Sequence, residues 1–279
     1  MTQNHRRSML CPNCRRLISK DDSVCPYCGL KNPTSIWQRV IGSGLQDSDQ
    51  FLRILVGVNI AMYVISLLFS ARSTGFSLNP LTFLSPGSRS LLLLGASGYL
   101  PVDRLHRWWS LVSANYLHGS ILHIFFNMFA LWQLGPLVMN EYGNYRMFII
   151  YTLSGVFGFF VSYLAGIPLT IGASAAICGL IGAALYFGKS RGGIYGQTVY
   201  RQVGGWAIGI FLFGFMVPSI NNWAHGGGML AGIALGFLLG YQERNRESQA
   251  HKIAALACVA VTGLILLWAI LSSLYLVMS

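Results

Sequence analysis

Seven apolar runs constrain this chain more than anything else in it. Each is close to the length of about 20 residues that a helix needs to cross a hydrocarbon core. They fall near 52–70, 118–138, 146–166, 171–188, 203–220, 224–241 and 253–277. In lipid, a backbone must satisfy its own polar groups, so runs of this length predict helices rather than open strands. A soluble domain carries about 25% charged residues, whereas this chain of 279 residues carries 10%. The expected fold class is therefore an all-α polytopic membrane protein. The run at 203–220 is the weakest, because glycines and Pro218 punctuate it.

The net charge of +11 could suggest a nucleic-acid partner, but its distribution argues for a bilayer instead. Before the first run stand Arg6, Arg7, Arg15, Arg16, Lys20, Lys31 and Arg39. Lys189, Arg191 and Arg201 lie in one later loop, and Arg244, Arg246 and Lys252 in another. The loops near 165–170 and 218–223 hold no charge. Lysine and arginine in short loops mark the cytoplasmic side. The expected topology has the N-terminus inside and the C-terminus outside, with a bacterial inner membrane as the expected home. The long loop 71–117 carries Arg72, Arg89, Arg104 and Arg107, and its length allows translocation despite them. The first thirty residues contain no apolar core of a cleavable signal.

Those residues instead hold "CPNC" at 11–14 and "CPYCG" at 25–29. Two C-x-x-C knuckles present four thiolates, Cys11, Cys14, Cys25 and Cys28, at spacing that suits a tetrahedral zinc ion. Two disulfides or a rubredoxin-like iron are the alternatives, and a reducing cytosol disfavours the disulfides. The expected domains are a zinc-ribbon-like unit over 1–32, a linker over 33–50, a membrane domain over 51–241, and a loop with an additional C-terminal helix over 242–279. Cys178 and Cys258 read as buried small apolar residues.

Every aspartate and glutamate falls outside the seven runs, so a carboxylate-driven pump or carrier lacks its usual groups. A metal-regulated transporter is disfavoured for the same reason. The polar side chains that remain gather at the outer starts of three runs. His118, His123 and Asn127 open one, Ser174 another and His225 a third. Ser174 is expected about three residues into its helix and His225 one to three into its own, both at a depth of about 5 Å. His123 and Asn127, four apart, share a helix face.

A serine hydroxyl needs a base to become a nucleophile, and His225 is the candidate. Asn127, His123 and the Ser174 backbone N–H could stabilise an oxyanion. Without an acidic partner this would be a Ser–His dyad. Gly179 and Ala183 on one helix, and Gly228, Gly232, Gly236 and Gly240 on the other, form stripes that let membrane helices pack backbone to backbone. Taken singly, a membrane serine is more often a packing residue that bonds its own backbone. His118 reads as structural. His5, His106 and His251 read as solvated or interfacial, and Trp108, Trp109 and Tyr116 as an interfacial belt.

The residues resemble the rhomboid intramembrane serine proteases. His118, His123 and Asn127 match a His-x4-His-x3-Asn pattern, and Gly172 and Ser174 a Gly-x-Ser motif. Ala224, His225 and Gly228 match Ala-His-x-x-Gly. The stretch "WWSLVSANYLHGSILHIFFNM" resembles the family's first loop entering its second helix. The resemblance covers about 52–241 and implies a six-helix core, to which the seventh run and the ribbon are additions. It implies Ser174 as nucleophile, His225 as base, and His123 and Asn127 at the oxyanion site. It also implies cleavage of transmembrane protein substrates near the outer membrane surface, with no cofactor. Three positions depart from the pattern: Ala175 replaces a glycine, Cys178 an aromatic, and Ser110 the arginine of a Trp-Arg pair. Ala175 is expected to crowd the oxyanion site and Cys178 to hold the imidazole less firmly. The alternative reading is a catalytically inactive relative that binds transmembrane helices.

Overall fold

The computed structural model describes residues 8–11, 16–27, 29–34, 47–70, 83–217 and 220–278. The chain divides into two compact units, Met1–Ile54 and Leu55–Ser279, with the boundary inside a helix.

In the first unit, strands β1 (Ser8–Leu10) and β2 (Leu17–Ser19) pair antiparallel, with Met9 opposite Ile18. The Asp22 carboxylate accepts the Ser19 N–H at 3.0 Å and tightens the turn that follows β2. A second pairing joins Val24 to Lys31. The apolar centre is small: Cys11, Ile18 and Cys25 are buried together, with Met9 and Leu30 beside them. The expected linker over 33–50 lies largely outside the described residues, and helix α1 (Ser48–Phe69) already begins within it. The Asp47 carboxylate accepts the N–H groups of Asp49 and Gln50, an N-cap for this helix.

The apolar runs become helices α1, α2 (Ile121–Tyr142), α3 (Asn144–Leu164), α4 (Ser174–Arg191), α5 (Gly193–Met216), α6 (Asn222–Leu239) and α7 (Gln249–Met278). Among the described residues four of them, α1, α2, α3 and α7, are long and apolar enough to cross a membrane. The protein is an integral membrane protein whose outer faces meet lipid.

The tightest packing is between α4 and α6, with α3 against both. Its cause is the glycine stripe. A Cβ on Gly228 would overlap the Ala175 carbonyl, one on Gly232 the Gly179 carbonyl, and one on Gly236 would stand 3.2 Å from Ala183 Cα. The two backbones thus touch along three helical turns, as small residues permit. Tyr142, at the end of α2, donates its hydroxyl to the Ala183 carbonyl at 2.8 Å. Helix α7 lays Ala255, Thr262, Leu266, Ala269 and Ser273 inward and packs chiefly on α3.

At one end of the bundle a single glycine separates α2 from α3. Gly143 takes φ +88°, and a side chain there would collide with the Glu247 carboxylate. Beside it Arg146 is fully buried. Its guanidinium donates to the carbonyls of Gly240 at 3.1 Å and Asn245 at 2.7 Å, and to His251 Nδ1 at 3.4 Å. His251, expected to be solvated or interfacial, is instead half-buried in this knot.

The segment 83–117 is built from short helical pieces at Ser88–Leu93, Leu100–Arg104, Ser110–Ser113 and Ala114–Tyr116. Bonds distant in sequence hold it. Ser113 Oγ donates to Gly95 O at 2.8 Å, and Ser97 and Thr170 exchange backbone bonds at 3.0 and 2.7 Å. Trp108 is exposed, but Tyr116 is 2% exposed and meets the Tyr151 ring edge-on at 6.3 Å. Tyr116 is therefore a core residue and no part of an interfacial belt.

Candidate active site

Helix α4 starts at Ser174, so the serine is the first residue of its helix rather than the third or fourth. The cause is Gly172. It takes φ +123°, which breaks helical continuity, and its N–H is given to the Ala114 carbonyl at 2.9 Å. Among the described residues no side chain caps α4, which leaves its first N–H groups open beside Ser174. His225 is the fourth residue of α6. Across the glycine seam, Ser174 Oγ stands 2.9 Å from His225 Nε2. The serine is partly exposed and the imidazole is buried.

For Nε2 to accept the hydroxyl proton, Nδ1 must carry the ring hydrogen. Among the described residues Nδ1 has no hydrogen-bond partner. The pair is thus a hydroxyl and an imidazole without a carboxylate behind it.

His123 is the third residue of α2, whose N-cap is Ser120; the Ser120 hydroxyl accepts the His123 N–H at 3.2 Å. The His123 Nδ1 accepts the Gly119 N–H at 3.2 Å. That bond assigns the ring hydrogen to Nε2, which lies over Gly172. A Cβ on Gly172 would be 2.6 Å from His123 Nε2 and 3.7 Å from Ser174 Oγ. The two groups therefore border the same small space. Asn127, one turn deeper and buried, donates one amide hydrogen to the His123 carbonyl at 2.8 Å and retains a second. His118 precedes α2 and is fully buried, with its ring edge-on to His123 at 5.1 Å.

The structure thus brings together Ser174, His225, His123 and Gly172, with Asn127 below and His118 behind. Ala175 does not crowd this space. It is fully buried in a cluster with Val102, Leu111, Ala114, Phe159 and Ala224, and its methyl faces Gly158 of α3. Cys178 is also fully buried. Sequence reasoning missed the Ala114 carbonyl and the Gly119 N–H, since backbone groups leave no mark in a residue pattern.

Of the four metal-ligand candidates, Cys11 and Cys25 are buried and share one cluster. Cys14 and Cys28 lie outside the described residues. The Cys25 carbonyl accepts the Gly29 N–H at 2.9 Å, and Gly29 takes φ +72°, the tight turn that a knuckle requires. Among the described residues, no three His, Cys, Asp or Glu side chains gather as a metal-ligand group.

Comparison with known proteins follows the same lines. Residues 105–242 match the rhomboid domain family. RHOMBOID-like protein 6, mitochondrial, of Arabidopsis thaliana is 34% identical over 185 residues, 62% of this chain and 60% of that protein. Rhomboid protease GluP of Bacillus subtilis is 31% identical over 190 residues, 68% of this chain and 35% of that one. RHOMBOID-like protein 5 of Arabidopsis thaliana is 36% identical over 166 residues, 56% and 52% respectively. The chain spans less than two thirds of each of these relatives. Together the matches support a place in the rhomboid family.

Proposed function

We propose that this chain, with its rhomboid domain over residues 105–242, is an intramembrane serine endopeptidase. One observation carries the reading: Ser174 Oγ lies 2.9 Å from His225 Nε2, at the starts of two seam-packed helices. In the proposed reaction the Ser174 oxygen attacks the scissile carbonyl carbon while His225 Nε2 takes its proton. The oxyanion receives hydrogen bonds from His123 Nε2–H, from the Asn127 amide and from the Ser174 backbone N–H. The imidazolium returns its proton to the leaving amine as the C–N bond breaks. Water then cleaves the acyl-enzyme by the same steps. No cofactor enters this chemistry.

The substrate class is a transmembrane protein, cut near the outer membrane surface where its helix unwinds locally. The loop charges support a cytoplasmic N-terminus and an external C-terminus, and a bacterial inner membrane is the proposed location. The first unit is proposed as a ribbon whose Cys11, Cys14, Cys25 and Cys28 hold structural zinc, since so small a core gains its folding energy from metal.

The test uses purified protein, a transmembrane substrate and a fluorophosphonate probe. Wild type should cleave and label, and Ser174→Ala should do neither. Equal cleavage by both proteins sinks the assignment. Absence of cleavage and labelling in wild type favours the alternative, a relative that binds membrane helices without cutting them.

A further inference from the structure

Asn221 stands four residues before His225, and Thr170 four before Ser174. The two are joined: Asn221 Nδ2 donates to Thr170 Oγ1 at 2.9 Å. The same nitrogen donates to Ser162 Oγ on α3 at 2.5 Å. Asn221 Oδ1 accepts the Ala224 N–H at 3.1 Å, capping α6. An asparagine amide has two hydrogens and one carbonyl oxygen, and all three are engaged here. Ser162 is fully buried and Thr170 nearly so. Thr170 is itself held by its backbone exchange with Ser97.

Capping does not explain this arrangement. An N-cap needs an acceptor oxygen, which serine or aspartate supplies as well. The donor end of Asn221 does something else, because it ties the start of the histidine's helix to the loop that delivers the serine. The glycine seam sets how near α4 and α6 approach. Backbone contact of that kind resists closer approach far more than sliding along the seam. A hydrogen bond between residues just upstream of each reacting group resists the slide.

We propose that Asn221 is a positioning residue that sets the Ser174–His225 register through Thr170. This rests on the protease reading above. Thr170→Val removes the hydroxyl at constant volume and leaves the α6 cap intact. Thr170→Ser restores the hydroxyl. Asn221→Ser keeps a capping oxygen but cannot reach Thr170. The measurements are kcat and KM on a transmembrane substrate, the rate of fluorophosphonate labelling, and the melting temperature.

Thr170→Val and Asn221→Ser should lower kcat and the labelling rate together by about 10- to 100-fold, the scale of a misplaced reacting group. KM should stay within about twofold, and Thr170→Ser should approach wild type. A role in stability alone would lower the melting temperature and leave kcat intact well below it. Wild-type kcat and labelling in both Thr170→Val and Asn221→Ser overturn the proposal while the protease reading stands. A wild type that neither cleaves nor labels removes that reading, and this role with it.

Discussion

His123 Nε2 lies so close over Gly172 that a methyl group there would fall 2.6 Å from the ring nitrogen. Gly172 also takes φ +123°, where an L side chain costs about 1–3 kcal/mol. Gly172→Ala should therefore displace His123 and lower kcat by about 100-fold. The melting temperature should fall as well. Cleavage at the wild-type rate would show that His123 contributes nothing to the reaction.

Among the described residues Nδ1 of His225 has no hydrogen-bond partner, which leaves the proposed dyad with one base and no relay behind it. Groups that act as a unit are strongly non-additive. His225→Ala should abolish fluorophosphonate labelling as fully as Ser174→Ala, and the double variant should be no worse than either. Retained labelling in His225→Ala would assign the base elsewhere.

The glycines are not equivalent. A side chain on Gly232 would overlap the Gly179 carbonyl, while among the described residues nothing outside its own helix backbone comes within 4 Å of such a position on Gly205 of α5. Gly232→Leu should prevent folding or lower the melting temperature severely. Gly205→Ala should be neutral, or stabilising by about 0.5–1 kcal/mol through helix propensity. Thermal melts in detergent would separate the two, and equal shifts would remove the seam from the account.

Burial raises the carboxyl pKa of Glu247, against the pull of Arg146, from its ordinary value of 4.5. A carboxyl whose folded pKa lies above its unfolded one contributes stability that is complete below the unfolded value. That stability is lost as pH rises through the folded value. The wild-type melting temperature should therefore fall relative to Glu247→Gln as pH is raised from about 4 to about 8. A gap that moves the other way would mean that Arg146 outweighs the burial.

Metal analysis of the full chain should give about one zinc per molecule, the stoichiometry of a four-thiolate site. Changing Cys11 and Cys14 to serine should remove it. A metal-free protein with four reactive thiols in its N-terminal unit would refute the ribbon.

The glycine seam was legible because a period of four is written in the residues themselves, at 228, 232 and 236 against 179 and 183. The start of α4 was not. Ile171, Gly172 and Ala173 look like helix, and what ends the pattern is a hydrogen bond from Gly172 to a carbonyl 58 positions away. The loop 83–117 was opaque for the same reason, since Ser97, Ser113 and Tyr116 find their partners far along the chain. The surroundings of Ala175 were not legible either, because its methyl packs on Gly158, a residue in another helix.

The Arg146 side chain donates to two main-chain oxygens that follow α6 and to the His251 ring, rather than to a carboxylate. The bundle therefore has no clean place to be cut on that side. A chain shortened after Gly240 would strand a cation in a pocket emptied of the Asn245 carbonyl and the His251 ring. The final helix is thus wired, through His251, into the junction where α2 meets α3, and is not an appendage that evolution or an engineer could simply clip away.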